Sequence, residues 1–574
     1  MIKKENNLSK VFLDGWNPFL WISFLIIFVY GMTLFSSIVY LDDNVLVTGQ
    51  YQFNKNLGNI PQAFKEDIFR TPLNGGTFYR PIERLTFIMD AQFGEGALIF
   101  MSHFSNVLLH ILAICLLFAF LLKLNIDKLT AFIFALIFSI HPLTAQTVAF
   151  ISGRNDSLLA LFVFPAIIYL IKYLETKENR YLVWNLIFFA LALFTKETAV
   201  ILPGIFILYI LIFIGYKKII EQYGLYIRLV SLWIGVGVFW FLIRMLVFHD
   251  FIGKASYNLF LSIYNNLPSL VPAIGKVFLP FNLGVFPIMS DMTMVYGILT
   301  LILLVLWFML SEKKNLKLII FGFSWFFLFI LLTLIQPKNI IAAFSENRIY
   351  IPMFGFIFVI LGLGRIRLPA FMKEKVNYEV NWKKIILFIS LFIILIFSSV
   401  TIYRNKYYKN KLSFWENAVT TSPSFAFNHN NLGAMKYLDG DMETAEREYK
   451  RALELNPNEP MAHNNLALVY ANKDKDKEAE EEYKKEMEVN PNYDNSYFNL
   501  GLLYFKQERY NMAMESWKKT LEINPNYIDA LKYLTNYYYS EKNYEEALPY
   551  ARRLLQMGFS LPPDLLKLVQ LAPF

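Results

Sequence analysis

The chain has 574 residues, a net charge of +8 and a hydrophobic content of 56%. Long apolar runs with few charges between them exclude a soluble globular protein and indicate a polytopic membrane protein. The basic residues cluster at the ends of these runs, as in cytoplasmic loops, so we do not interpret them as a nucleic-acid surface. The single cysteine, Cys115, lies inside an apolar run and cannot form an internal disulfide.

Eleven apolar runs before residue 403 are predicted to cross the membrane as helices. Lys3, Lys4 and the basic residues of later alternate loops place the N-terminus inside and the C-terminal part outside. Residues 268–287 are apolar but contain four prolines, so we expect an interfacial or re-entrant segment there. The runs lie near residues 19–39, 104–122, 129–149, 157–174, 182–195, 198–215, 229–248, 293–310, 316–336, 349–364 and 384–402.

The remaining polar clusters all fall at the predicted outer ends of spans. Each alone is compatible with interfacial anchoring or a local charge pair, but together they predict a site at the outer membrane surface. The clusters are Asp42-Asp43 and Tyr79-Arg80 in the long loop 40–102, the segment from His141 to Arg154 and Asp156, Lys196-Glu197, and Glu346-Asn347-Arg348.

Carboxylates beside cations at this depth suit group transfer. A carboxylate can act as general base toward a hydroxyl, and cations can hold a phosphate leaving group. These residue types at the outer surface favour a donor attached to a polyprenyl phosphate, although composition does not identify the transferred group as a sugar. The candidate cations are Arg80, Arg84, Arg154, Lys196 and Arg348.

After residue 403 the composition changes, and residues 404–425 are predicted to form a linker. From residue 426 three columns of residues recur with a spacing of 34, which identifies tetratricopeptide repeats. Four repeats are predicted over 426–561, followed by a capping tail over 562–574. The predicted fold is therefore all-α, with a membrane domain over 1–403 and an α-solenoid. The columns are Leu432, Leu466, Leu500 and Leu534; Ala445, Ala479, Ala513 and Ala547; and Pro423, Pro457, Pro491 and Pro525.

Two further sets of residues leave alternatives open. Asparagines near the start of the repeats' first helices either hold an extended acceptor peptide or form a solvated helix surface. His103 and His110, seven residues apart, lie on one helix face, but nearby metal ligands are lacking, so packing or donor-lipid contact is favoured over a metal pair. The asparagines are Asn430, Asn431, Asn464, Asn465 and Asn499.

Several short motifs resemble the transmembrane and tetratricopeptide-repeat O-mannosyltransferases in order and spacing along almost the whole chain. Near the N-terminus they are Leu41-Asp42-Asp43-Asn44, Phe78-Tyr79-Arg80-Pro81, and His103 with Asn106 and His110. Further along they are Gly153-Arg154-Asn155-Asp156, Thr195-Lys196-Glu197, Glu346-Asn347-Arg348 and Phe414-Trp415.

The resemblance implies the fold of a polytopic membrane glycosyltransferase of the lipid-donor type. It also implies that Asp42 is the catalytic base and Asp43 its partner, or the reverse. By the same resemblance Arg80, Arg154, Lys196 and Arg348 bind the donor phosphate, and Glu197 and Glu346 orient those cations. Tyr79, His103, His141 and Asp156 are candidate supporting residues.

The implied reaction transfers mannose or another hexose from a polyprenyl phosphate to a hydroxyl of an extracytoplasmic acceptor, such as a protein Ser or Thr. The repeats would position the acceptor, and no cofactor or metal is expected beyond the lipid-linked donor. The expected location is a multi-pass plasma membrane, a bacterial inner membrane by composition, with the site and repeats on the extracytoplasmic side. The alternative is a membrane-anchored repeat scaffold without catalysis, which does not need Asp42, Arg80, Arg154 and Arg348 to converge.

Overall fold

The computed structural model describes residues 11–70, 78–248, 259–335, 346–364 and 382–571. Within these ranges the secondary structure is helical and no β-strand forms, which confirms the predicted all-α fold. Lys3 and Lys4, used above for topology, lie outside the described residues. So do Arg365, Arg367, Lys373 and Lys375, which belong to the last of the predicted inside loops. The chain divides into two compact units, Met1–Ser422 and Pro423–Phe574.

In the first unit, eight helical stretches of the described residues are long and apolar enough to cross a membrane. Three shorter apolar helices accompany them, Lys128–Ser139, Asn179–Thr195 and Val295–Leu310. Together they coincide with the eleven predicted runs. The eight stretches are Asn17–Phe35, Glu95–Lys123, Ile151–Thr176, Glu197–Ile214, Tyr223–Val247, Leu316–Leu334, Glu346–Leu363 and Lys384–Tyr408.

Close helix packing holds this unit together where glycines meet. An added Cβ on Gly322 would lie 2.4 Å from the carbonyl oxygen of Gly355, so the helices Leu316–Leu331 and Gly355–Leu363 pack backbone to backbone. The other α-helices of the unit are Asn17–Tyr30, Tyr51–Asn54, Ile60–Ala63, Pro81–Ala91, Leu98–Lys123, Thr144–Ala149, Arg154–Thr176, Leu202–Tyr209, Tyr216–Glu221, Tyr223–Val247, Leu259–Asn266, Leu270–Phe278, Trp382–Asn405 and Lys411–Thr421.

The proline-containing segment 268–287 forms the helix Leu270–Phe278, which has nine residues. At 1.5 Å per residue it measures about 13 Å, too short to cross a membrane. Its residues from Pro272 to Val277 are buried, Lys276 among them. The segment therefore packs into the first unit and contributes a buried cation to it.

Most of the predicted linker 404–425 is not a linker. Residues 411–421 form a helix, which we call the lead-in helix, and Phe414, Trp415 and Ala418 on it are fully buried. Its aromatic rings contact Phe150 and Phe286 of the first unit. The mixed composition of this stretch hid a short amphipathic helix whose apolar face belongs to the membrane unit.

The second unit contains four antiparallel helix pairs, as the period of 34 predicts. The alanines of the repeating column, such as Ala445 and Ala547, are fully buried where the helices approach. The final helix, Pro563–Leu571, packs its Leu565 near Ala551. The pairs are Ala426–Leu438 with Met442–Leu455, Ala462–Asn472 with Asp476–Val489, Asp494–Lys506 with Tyr510–Ile523, and Ile528–Ser540 with Tyr544–Gln556.

Candidate active site

Residues 39–44 form a tight turn after the first span, which we call the carboxylate turn. The buried carboxylate of Asp43 accepts backbone N–H groups from Val39 at 2.6 Å, Leu41 at 3.0 Å and Asn44 at 3.0 Å. These three hydrogen bonds to the carboxylate fix the backbone of the turn. Asp43 therefore shapes the turn, and burial raises the pKa of its carboxyl against the lowering effect of these bonds.

Asp42 has the opposite environment in the same turn. Its side chain is half-buried and accepts no hydrogen bond from any residue that the structure describes. Tyr40, two residues earlier, has a φ of 59°, a left-handed conformation that costs energy for a residue with a side chain. Burial and the neighbouring Asp43 raise the pKa of Asp42 to about 6, while Arg80 opposes the shift. Asp42 is therefore available to accept a proton near neutral pH.

Arg80 pairs with a carboxylate from a distant part of the chain. Its Nε and Nη2 donate to the two carboxylate oxygens of Glu197 at 3.0 Å and 2.7 Å. This bidentate geometry fixes the guanidinium plane. The arrangement agrees with the expected orienting role of Glu197, and Arg80 exerts its charge on Asp42 from this position.

Glu83 is a site residue that the sequence reading missed. Its buried carboxylate lies 3.6 Å from Nη1 of Arg80 and accepts a hydrogen bond of 3.4 Å from Nδ2 of Asn155. Burial raises its pKa to about 7, against the lowering effect of Arg80. Glu83 follows Arg80 by three residues at the start of a helix. This spacing is the sequence signal that could have placed Glu83 beside Arg80.

Lys196 links three segments of the chain. Its Nζ donates to Asp156 Oδ1 at 2.6 Å and to Asn155 Oδ1 at 2.9 Å. The other oxygen of Asp156 accepts from Asn347 Nδ2 at 3.0 Å. Two of the three Nζ donors are used in these contacts, so one remains available for a ligand.

Arg348 is the cation with the most available donors. It makes no hydrogen bond or ion pair with any residue among the described ranges, although Asp156 and Glu197 interact with it electrostatically. Arg348 and Lys196 line one narrow recess, together with Thr198 and the ring of Phe329. Asp156 also lines this recess, whose volume of about 10 Å³ is no larger than one water molecule requires. The recess therefore shows that the two cations lie side by side, and a phosphate would need the surrounding side chains to move apart.

Arg154 differs from its predicted role. It is fully buried, and its guanidinium donates to Asp90 at 2.7 Å, to Asn106 at 2.9 Å, to Thr86 at 3.0 Å and to the carbonyl of Ser102 at 2.8 Å. No part of the group is accessible to a donor phosphate. The prediction of phosphate binding is wrong for Arg154, which instead joins three helices.

Arg84, the other early candidate cation, is also engaged inside the protein. It is buried, and its Nη2 donates to the carbonyl oxygens of Asp67, at 2.7 Å, and Ile68. The guanidinium also lies over the ring of Phe53. Arg84 therefore fastens the long loop to the helix Pro81–Ala91.

Glu346 also serves a different group from the one expected. Its carboxylate accepts from Lys276 Nζ at 2.8 Å and from Arg404 Nη2 at 2.7 Å, and all three side chains are buried. The backbone N–H of Gly284 adds a contact of 3.1 Å. Glu346 therefore holds the short helix 270–278 to the last span and does not orient Arg348.

The supporting residues are buried and mostly hydrogen-bonded to the backbone. His141 Nε2 lies 2.9 Å from the Val277 carbonyl, and the Tyr79 hydroxyl donates to the Phe64 carbonyl at 2.9 Å. His110 contacts the hydroxyl of Tyr350 and the carbonyl of Ser139, each at 2.8 Å. His103 lies on the same helical face as His110 and is 1% exposed. In the described part of the chain, no group of three or more His, Cys, Asp or Glu side chains could hold a metal ion.

The repeat asparagines hydrogen-bond to one another from repeat to repeat. Asn465 Nδ2 donates to Asn430 Oδ1 at 3.0 Å, and Asn499 Nδ2 donates to Asn464 Oδ1 at 3.0 Å. Asn431 donates to the carbonyl of Phe427 in its own helix at 2.7 Å. The amides form a ladder between neighbouring repeats, so at least part of their hydrogen-bonding capacity stabilises the solenoid.

A groove runs along the third and fourth repeats. It has a volume of about 1120 Å³ and is lined by tyrosines, among them Tyr497, Tyr504, Tyr537 and Tyr538. Acidic and basic side chains, including Glu515 and Lys518, lie at the same groove. Its size and mixed lining suit a polypeptide segment better than a small molecule.

These features define the chain as a polytopic, helical membrane protein with a carboxylate-and-cation site and a tetratricopeptide-repeat domain. Residues 93–241 match the family described as dolichyl-phosphate-mannose-protein mannosyltransferase. Residues 433–474, 462–493 and 495–527 match tetratricopeptide-repeat families. The matches confirm the resemblance to the O-mannosyltransferases with tetratricopeptide repeats and support a membrane glycosyltransferase.

Among characterised relatives, the chain is similar to the protein O-mannosyl-transferase TMTC3 of Mus musculus. The two are 28% identical over 193 residues, which are 31% of this chain and only 20% of that relative. The chain thus matches one fifth of the relative's length.

Solved structures match about a quarter of the chain. The crystal structure of MamA has 21% identity and a TM-score of 0.24, with 25% of this chain and 85% of MamA covered. The structure of PilF from Pseudomonas aeruginosa has 22% identity and a TM-score of 0.24, with 26% and 69% covered.

Proposed function

We propose that this protein is a membrane glycosyltransferase that moves a hexose, mannose in the first instance, from a polyprenyl phosphate to an acceptor hydroxyl. The proposal is supported by the different environments of the carboxylate and the cations in the site. Asp42 has a pKa of about 6 and no hydrogen bond from a described residue, whereas Arg348 and Lys196 lie side by side with N–H donors that no described residue accepts. A scaffold gains nothing from a half-buried carboxylate without a hydrogen bond and an arginine that makes no ion pair with a described residue.

In the proposed reaction Asp42 takes the proton of the acceptor hydroxyl as its oxygen attacks C1 of the sugar. The bond between C1 and the phosphate oxygen breaks, and the electron pair leaves with the polyprenyl phosphate. Arg348 and the free Nζ donor of Lys196 neutralise the charge that develops on that phosphate. Arg80, fixed by Glu197, keeps Asp42 ionised at neutral pH. The donor is a substrate, and no metal or cofactor is part of the proposal.

We further propose that the site and the repeats face the extracytoplasmic side of a plasma membrane, where nucleotide sugars are absent and a lipid-linked donor is present. The repeats position a protein acceptor for transfer to Ser or Thr. The tyrosine-lined groove is the first place to look for acceptor contact, and the partly exposed amides of Asn465 and Asn499 are the second.

Reconstitution tests the activity directly. The purified full chain in lipid vesicles is supplied with a polyprenyl-phosphate mannose and a mixture of Ser- and Thr-containing secreted polypeptides, with and without EDTA. Mass spectrometry is expected to find one added hexose on the acceptor and to find none when Asp42 is replaced by Asn. Stable binding of the polypeptides without any hexose transfer, from mannose or other hexose donors, would instead support the scaffold.

The rate of transfer should depend on pH through Asp42. Because its pKa is raised to about 6, the carboxylate is protonated below that value and cannot accept a proton. Initial rates measured between about pH 5 and 8 are therefore expected to rise and level off above about 7. Measuring at saturating donor separates this effect from donor binding. A rate that stays constant down to pH 5 would remove Asp42 from the proton-transfer step.

A further inference from the structure

The lead-in helix reaches the carboxylate turn directly. The indole Nε1 of Trp415 donates to the carbonyl oxygen of Val39 at 3.0 Å, and the N–H of Val39 donates to Asp43 at 2.6 Å. A second bond runs from the N–H of Ser37 to the carbonyl of Lys409 at 2.9 Å. Val39, which begins the turn, is thus hydrogen-bonded through both its carbonyl oxygen and its N–H.

Trp415 is itself fixed by packing. It is fully buried, its ring stacks on Phe286 with centroids 6.2 Å apart, and it meets the edge of Phe414 at 5.2 Å. Phe414 in turn lies 6.0 Å from Phe150, whose carbonyl accepts from Asn106, the partner of Arg154. One aromatic cluster therefore supports the carboxylate turn and the buried Arg154 network together.

The position of Asp42 depends on this support because its own carboxylate has no hydrogen bond to a described residue. Its location comes from the backbone of the turn, and that backbone carries a left-handed residue, Tyr40. Such a turn persists only where its surroundings over-determine it. Asp43 provides the restraint from inside the turn, and Trp415 provides it from outside.

We infer that Trp415 is a positioning residue for the Asp42 base. The lead-in helix is then part of the catalytic apparatus, although it follows the last span and directly precedes the repeats in the chain. The inference rests on the proposed function for its kinetic consequence, whereas its structural part concerns the backbone of residues 39–44 alone.

The test compares Trp415→Phe with Trp233→Phe in the full chain. Trp233 is a matched control because it is buried in the same unit and its Nε1 also makes one hydrogen bond, 2.9 Å to Asn185. Trp415→Phe is expected to lower kcat by roughly tenfold with little change in the donor KM. Its pH–rate midpoint should move down, because a loosened turn exposes Asp42 to water. Hydrogen exchange should quicken in peptides covering 39–44, and Trp233→Phe should show none of these effects.

A second variant covers the case in which Trp415→Phe does not fold. Ser37→Pro removes both the N–H and the hydroxyl that donate to the Lys409 carbonyl, and Ser37 itself is exposed. It should also quicken exchange in 39–44 and lower kcat. If a folded Trp415→Phe variant leaves kcat, the pH–rate midpoint or the hydrogen exchange of 39–44 unchanged, the inference is overturned. If only Ser37→Pro folds, unchanged kcat or exchange in that variant overturns it. An active Asp42→Asn variant would overturn the proposed base instead, and the exchange measurement would still report on Trp415.

Discussion

Asp42→Asn is expected to lower the rate of hexose transfer by about two to four orders of magnitude, the usual contribution of a general base. The amide has the same shape but cannot accept the hydroxyl proton. No hydrogen bond from a described residue is lost, and an ionised group in a half-buried place is removed. The thermal unfolding temperature is therefore expected to stay the same or rise. Initial rates and an unfolding scan of the detergent-solubilised protein measure both effects.

Asp43→Asn is the matched comparison, one residue away. An amide provides one acceptor oxygen in place of two, so at least one backbone N–H of the carboxylate turn loses its partner. The expected cost is about 1–3 kcal/mol of stability, with loss of activity following from a disturbed turn. If Asp42→Asn were active and Asp43→Asn were stable but inactive, the roles of the two carboxylates would be exchanged.

Arg348→Gln is expected to lower kcat/KM for the lipid-linked donor by about a hundredfold while leaving the unfolding temperature unchanged. The side chain makes no hydrogen bond or ion pair with a described residue, so its removal costs only the electrostatic interactions with Asp156 and Glu197. The expected loss reflects charge that no longer stabilises the departing phosphate. Steady-state kinetics with varied donor concentration, beside an unfolding scan, provide the measurement.

Arg154→Gln is the control for Arg348→Gln. Its removal leaves the buried Asp90 carboxylate without its cation, at an expected cost of about 3–5 kcal/mol in stability. The two arginines thus separate a ligand-binding role from a structural one. Unaltered donor kinetics in Arg348→Gln would exclude it as a phosphate ligand, and a stable but inactive Arg154→Gln would restore the original interpretation of that residue.

The repeat domain and the apolar helices could be predicted from sequence because their signals are local. A period of 34 and an apolar run are both complete within one stretch of chain. The gathering of charged motifs at one site could also be expected, since each follows the end of a span. Arg80 meets Glu197, and Lys196 meets Asp156, across 117 and 40 residues.

The individual roles could not be predicted, because they depend on which partner reaches each side chain. Asp42 and Asp43 are identical in type and adjacent, and only the direction of the backbone N–H groups in the turn separates them. Arg154 and Arg348 look alike in sequence. The guanidinium of Arg154 hydrogen-bonds to Asp90 and Asn106, whereas that of Arg348 makes no hydrogen bond with a described residue. The lead-in helix was missed because its aromatic face is short and directly follows a lysine-rich stretch.

The short helix Lys128–Ser139 has a consequence for the surrounding lipid. Its 12 residues measure about 18 Å, well under the thickness of a hydrocarbon core. The chain that continues through residues 140–153 is buried and contains only the short helices Thr144–Ala149 and Ile151–Gly153, so the backbone between them is shielded by protein. Such hydrophobic mismatch is relieved by local thinning of the bilayer. The bilayer beside this helix is therefore expected to be thinner than beside the longer spans.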